Sequence, residues 1–233
     1  MQKNYNADQK GKIMSYQVAI DGPAGAGKST IARQVAKNKG FIYVDTGAMY
    51  RAMALHMIRS NVDTKDAEAI AKASENADIS IQYVNGEQIV LLNGENVNGL
   101  IRTPQVSAMA SVSSANPQVR ARLLHLQQKL ADENDVIMDG RDIGTCVLPH
   151  ADVKVYLTAS ARVRAQRRYK ELVEKGESCD LDQIEAEIKE RDHRDMTREH
   201  APLRQAADAQ LLDSSDMSIG QVVDAICKLI LKD

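Results

Sequence analysis

The run IDGPAGAGKST at residues 20–30 places Gly22, Gly27, Lys28 and Ser29 at the spacing G-x-x-x-x-G-K-[ST]. Residues of these types at this spacing can hold a polyphosphate. Glycines let the main chain curl so that several N–H groups point inward, and a helix starting at the end of the loop adds its positive N-terminus. The Lys28 ammonium can reach the β- and γ-phosphates, and the Ser29 hydroxyl can ligate Mg²⁺. The expected ATP contacts are the loop residues Gly22, Pro23, Ala24, Gly25, Ala26 and Gly27, then Lys28, Ser29 and Thr30. A GTPase is excluded, because the only Asn-Lys pair, Asn38-Lys39, is followed by Gly40-Phe41 and makes no N-K-x-D. The loop alone leaves the reaction open, since switching ATPases and small-molecule kinases share it.

A second anion site would separate those readings, and arginines recur in three places. DTGAMYR (45–51) puts Thr46 where it can cap a helix and Arg51 about one turn further on. MDGRDIGT (138–145) follows an apolar strand and sets Arg141 and Asp142 on a loop at its C-terminal end, where α/β sheets bind ligands. Asp139, ending that strand, is a candidate to hold the waters of a metal ion; simple turn formation is the alternative. ERDHRDMTR (190–198) places Arg191, Arg194, Asp195 and Arg198 at i, i+3, i+4 and i+7, one face of a helix. A surface ion pair of Arg191 with Asp195 is the plainer reading. Three like charges on one face repel, however, and an anionic ligand would relieve them.

These residues carry a resemblance. With IDGPAGAGKST, YVDTGAMYRA, IRTPQVS, MDGRDIGTCVLP, EIKERDHRDMTRE followed by APL, and LLDSS, the chain from about residue 16 resembles the bacterial cytidylate kinases, a branch of the P-loop nucleoside monophosphate kinases. The resemblance implies phosphoryl transfer from ATP, with Mg²⁺, to CMP and dCMP. It implies that Ser111, Arg120 and Asp142 meet the cytosine base and that Thr46, Arg51, Arg141 and Arg198 meet the monophosphate. Arg191 and Asp195 would face the ribose, and Tyr50 would join the substrate-binding set. The base assignment fits hydrogen-bond chemistry, because a carboxylate accepts from the exocyclic amine of cytosine, whereas uracil would oppose an acceptor to it. Lys28, Arg141 and Arg198 are the expected catalytic groups. A phosphate acceptor is already largely ionised at neutral pH and needs charge neutralisation rather than a base. The basic run ARVRAQRRYK resembles the family's lid, with Arg164, Arg167 and Arg168 expected to approach the ATP phosphates only on closure. The rival readings are a UMP or shikimate kinase and a nucleotide-regulated ATPase without a second substrate.

The elements that must position these residues follow from periodicity. Apolar strands are expected at 16–20, 41–44, 136–139, 153–157 and 209–213, and helices at 29–39, 48–58, 64–77, from Asn116-Pro117 onward, and at 159–176, 181–198 and after Ser218. Met49, Met53 and Met57 read as core. Between the α/β units, Asn85-Gly86 and Asn93-Gly94 separate short β-rich runs and mark hairpins. The expected fold is α/β: a three-layer P-loop NTPase-type parallel sheet flanked by helices, with an inserted small antiparallel monophosphate-binding subdomain and a helical lid. The expected division is a disordered leader at 1–15, a core made of 16–61, 102–158 and 196–233, the inserted subdomain at 62–101 and a lid region at 159–195.

Composition narrows the partners. A net charge of -2 and only 3% aromatic residues argue against a nucleic-acid polymer, so anion binding must be local. Three cysteines without a C-x-x-C suit reduced thiols, and no apolar run approaches a membrane span. A cytoplasmic enzyme that acts on small-molecule nucleotides as a monomer, with no membrane partner, is the expectation.

Overall fold

The computed structural model describes residues 15–63 and 65–231. The leader expected at 1–15 lies outside them except for Ser15, whose hydroxyl donates to the Ala131 carbonyl. The first half of the chain runs β1 Gln17–Asp21, α1 Lys28–Lys39, β2 Ile42–Asp45, α2 Thr46–Arg59, α3 Ala67–Glu75, β3 Ile79–Val84, β4 Glu87–Leu92, β5 Glu95–Asn96 and α4 Pro104–Ser113. It continues with α5 Pro117–Glu133, β6 Val136–Gly140, a π-helical turn Ile143–Val147, β7 Val153–Thr158, α6 Ala161–Glu174, α7 Leu181–Thr197, β8 Gln210–Asp213 and α8 Ile219–Leu229.

Five strands form one parallel sheet in the order β2-β6-β1-β7-β8. Their side chains alternate between two cores, as the two-residue strand period requires. Ala19, Val44, Val136 and Met138 face α2, α4 and α5, while Val18, Ile20, Tyr43 and Ile137 face α1 and α8. This gives the three layers expected. Met49, Met53 and Met57 are fully buried in the first core. No helix among the described residues is long and apolar enough to cross a membrane.

A second sheet, β3-β4-β5, is antiparallel. Its turns have the geometry that Asn-Gly allows: Asn85 and Gly86 have φ of 53° and 80°, and Asn93 and Gly94 51° and 82°. This sheet docks on β2, the edge strand of the parallel sheet. The Gln88 side chain accepts from the Asp45 N–H at 2.9 Å and donates to the Asp45 carbonyl at 3.2 Å, and Tyr83 Oη donates to the Tyr43 carbonyl at 3.1 Å. An amide side chain thus takes the place of a neighbouring strand on an open edge.

Several caps explain the boundaries. Asn116 accepts from the Gln118 N–H ahead of Pro117, and Ser218 with Gln221 forms a capping box. Helix α3 is shorter than the expected 64–77 because Asp66 caps it, accepting from Glu68 and Ala69; Thr64 lies outside the described residues. Helix α4 was not expected, although Thr103 caps it and Pro104 opens it by the same chemistry as Asn116-Pro117.

Candidate active site

Three neighbouring strands end level with one another. In register, Asp45 of β2 lies beside Asp139 of β6, and Asp21 of β1 lies beside Gly140. All three carboxylates are buried at the C-terminal edge of the sheet. The phosphate loop leaves β1 directly after Asp21. Gly22 has φ of 149°, and a Cβ there would lie 1.9 Å from the Leu157 carbonyl oxygen, so β7 leaves room only for glycine. Lys28, buried at the start of α1, donates to the Pro23 carbonyl at 2.8 Å, and burial and then the Arg141 guanidinium push its ammonium below the ordinary lysine range. Ser29 Oγ donates to Asp139 Oδ2 at 3.0 Å, and Tyr43 Oη donates to Asp139 Oδ1 at 2.9 Å. Burial and then Asp45 push the Asp139 carboxyl upward, which a cation at this position would reverse. Thr30 is exposed on the first turn of α1.

Across the edge of the sheet, α2, α5, the β6 end and α7 with its C-cap bring arginines together. Arg120 donates to Asp142 Oδ2, and Arg198 approaches Asp142 Oδ1 at 3.6 Å. Arg141 Nε donates to Asp195 Oδ2 at 2.9 Å, and Arg51 donates to Asp45 Oδ2 at 3.1 Å. The Arg120 guanidinium also lies 5.7 Å from the Tyr50 ring centroid. Burial pushes Arg191 and Arg198 below the ordinary guanidinium range, and each has a neighbouring guanidinium, Arg141 or Arg120, as the next cause. Arg51 Nε and Arg191 Nε are buried with no hydrogen-bond partner among the described residues. Such orphaned donors cost about 1–3 kcal/mol each.

The structure corrects several expectations. Thr46 does not cap α2: Asp45 does, accepting from the Ala48 N–H at 2.8 Å, while the Thr46 hydroxyl donates to the Asp139 carbonyl at 2.7 Å. Arg194 is turned to solvent towards Glu190 at 3.9 Å, because Asp195 is the buried position of that turn, so the four-residue face splits. Arg141 and Asp142 lead into a π-helical turn rather than an open loop. Arg164, expected to approach only on closure, already touches the phosphate loop: it donates to the Ala24 carbonyl at 2.9 Å and is paired with Asp192. Arg167 instead grips the Ser214 carbonyl at 2.7 Å, and Arg168 is exposed beside Glu171. Ser111 is half-buried on α4, and no hydrogen bond links it to the Arg120–Asp142 pair among the described residues.

Sequence reasoning missed four contributors. Tyr43 supports Asp139, Asp45 organises Arg51, and Arg102 reaches the same Asp45 oxygen at 3.3 Å. Arg102 stands in the quoted run IRTPQVS, so its charge was a visible signal. The fourth is Asp21, which accepts from the Ile143 and Gly144 N–H groups at 2.8 and 2.7 Å. Only the strand pairing reveals that contact.

Comparison with known proteins gives a consistent family. Residues 18–232 match the family model described as cytidylate kinase. A protein named cytidylate kinase from Caldicellulosiruptor saccharolyticus is 52% identical, with 92% of this chain and 95% of that protein covered. One of the same name from Lactiplantibacillus plantarum is 50% identical, with 93% and 95% covered.

Proposed function

The chain belongs to the cytidylate kinase family, and on that premise we propose that it transfers the γ-phosphoryl group of ATP directly, in line, to CMP and dCMP, giving ADP and the diphosphates. The observation that carries the acceptor side is the pair of buried, unpartnered guanidinium donors, Arg51 Nε and Arg191 Nε, the second on a guanidinium that burial and then the neighbouring Arg141 push below its ordinary range. An anionic nucleotide satisfies both the donors and the repulsion.

The division of labour is as follows. Main-chain N–H groups of 24–27 and the N-terminus of α1 hold the β- and γ-phosphates, with Gly22 and Pro23 shaping the loop and Thr30 on the first turn of α1. Lys28 leaves the Pro23 carbonyl for the phosphates and becomes an ordinary charged lysine as they arrive. Ser29 and Asp139 fit Mg²⁺, because a hydroxyl and a carboxylate 3.0 Å apart are hard oxygen donors and leave places for water. When bound, the ion offsets charge on the phosphate oxygens. Arg51, Arg141 and Arg198 take the acceptor phosphate, with Thr46 at the start of α2. Arg191 and Asp195 take the ribose. Ser111, Arg120 and Asp142 read the base, and Tyr50 packs on Arg120. The acceptor phosphate supplies its own nucleophilic oxygen, so no base is required. Lys28, Arg141 and Arg198 stabilise the charge of the transferring group.

In this reading the antiparallel unit at 62–101 closes over CMP, and 159–195 forms a lid. Arg164 is its fixed end on the loop, while Arg167 and Arg168 move towards ATP. The enzyme works as a monomer in the cytoplasm. A coupled assay of ADP release tests the whole reading: CMP and dCMP should each drive sustained ADP formation in the presence of Mg²⁺, and UMP much less. CMP producing no more ADP than water would overturn it.

A further inference from the structure

The turn that follows Asp142 is unusual. The Val147 and Leu148 N–H groups return to the Asp142 and Ile143 carbonyls at 3.2 and 2.7 Å, the five-residue spacing of a π-helix. Its first amides, Ile143 and Gly144, have no partner within the turn and need a cap. An Asp standing directly before a helical turn normally supplies that cap with its own carboxylate. Here Asp142 occupies the capping position and makes no such hydrogen bond. Its carboxylate faces Arg120 and Arg198 instead.

The cap comes from Asp21, 122 residues before Ile143. Each of its carboxylate oxygens takes one amide, Ile143 at 2.8 Å and Gly144 at 2.7 Å. The seat is built closely. A Cβ on Gly144 would lie 3.1 Å from Lys154 Cδ and 3.4 Å from Asp21 Oδ2. Lys154 itself is buried and held by the Pro149 carbonyl and Asp208 at 2.6 and 2.7 Å. Burial pushes the Asp21 carboxyl up to about 6, against the two amides that lower it, and Asp142 adds to the rise as a nearby like charge.

We propose that Asp21 is a positioning residue for substrate selection: by capping the turn after Asp142 it keeps the Asp142 carboxylate out of the capping role and turned towards Arg120 and Arg198, where the base is read. Because Asp21 also ends the strand that launches the phosphate loop, one carboxylate joins the donor site to the base-reading site. This rests on the proposed CMP kinase reading.

The test uses the full-length protein with Asp21→Asn and, as an approach from the other side of the seat, Gly144→Ala. Asn keeps one acceptor but opposes its NH₂ to the second amide. Each variant should raise KM for CMP about tenfold and narrow the preference for CMP over UMP by a similar factor, while KM for ATP changes less than about threefold. Adding Asp21→Asn to Asp142→Ala should change the CMP/UMP ratio no further, since the first acts through the second. Equal shifts in both KM values, unchanged selectivity, or additive effects in the double variant would overturn the proposal. If Asp21→Asn does not fold, the same criteria apply to Gly144→Ala. A wild-type protein that ignores CMP would instead defeat the underlying kinase reading, which separates the two failures.

Discussion

The donor and acceptor ends of the site are built from different materials. At the donor end the main chain does most of the work. A glycine loop is forced into shape by its neighbour β7, a helix N-terminus follows, and Lys28, Ser29 and Asp139 finish the arrangement. At the acceptor end side chains from five regions of the fold converge, and without ligand they pair with one another: Arg120 with Asp142, Arg141 with Asp195, Arg51 and Arg102 with Asp45. In the proposed reading the first design recognises a polyphosphate through the main chain and makes no contact that depends on what the polyphosphate is attached to. In the same reading the second tells one base from another, but only by burying charges that remain imperfectly satisfied.

The largest effect expected from this contrast lies at the donor end. Lys28→Ala should lower kcat by roughly 10²–10³-fold while leaving KM for CMP within about threefold, because the lost charge acts on the transferring group. Steady-state kinetics with both substrates varied would check it. A fall confined to CMP binding would show that the two ends are not separable. Next comes Asp142→Ala at the acceptor end. It should reduce kcat/KM for CMP by about 10–100-fold and leave UMP nearly unaffected, so that the preference shrinks. Unchanged selectivity would remove Asp142 from the base site and with it the proposed contrast.

The same difference in materials explains what the sequence could reveal. A phosphate loop is local: Gly22 to Ser29 are contiguous, and their spacing is itself the geometry. The Asn-Gly turns and the Asn116-Pro117 helix start are local in the same sense, and all appear where expected. Arg194 shows the limit of local reasoning. Helical spacing puts it near Arg191 and Asp195, but a helix face is about a third of a turn wide, and only packing decides that Asp195 is inside and Arg194 outside. Thr46 was the expected cap, yet Asp45 caps α2, and the deciding contact, Thr46 with the Asp139 carbonyl, crosses from one strand end to another. Asp21 capping Ile143 is further still from any local pattern. Arg164 resting on Ala24 likewise depends on how α6 sits against the loop, which its own basic sequence does not specify.

The smallest effect expected tests the claim that the acceptor end is held under electrostatic strain. Arg191 is half-buried, its Nε is buried with no partner among the described residues, and burial, then Arg141, Arg51 and Arg194, depress its pKa, with Asp195 opposing them. Removing such a charge relieves a desolvation cost and like-charge repulsion, while the lost aliphatic packing works the other way. The net for Arg191→Ala in the ligand-free protein should be a gain of about 1 kcal/mol, read as a higher urea midpoint at unchanged m. Activity should move in the opposite direction, with KM for CMP rising. Saturating CMP should then stabilise the wild type more than the variant, because binding supplies the missing acceptor only where the guanidinium is present. A variant less stable than wild type by more than about 1 kcal/mol, with KM for CMP unchanged, would mean that Arg191 is a structural ion-pair partner and that the acceptor end is as settled as the donor loop.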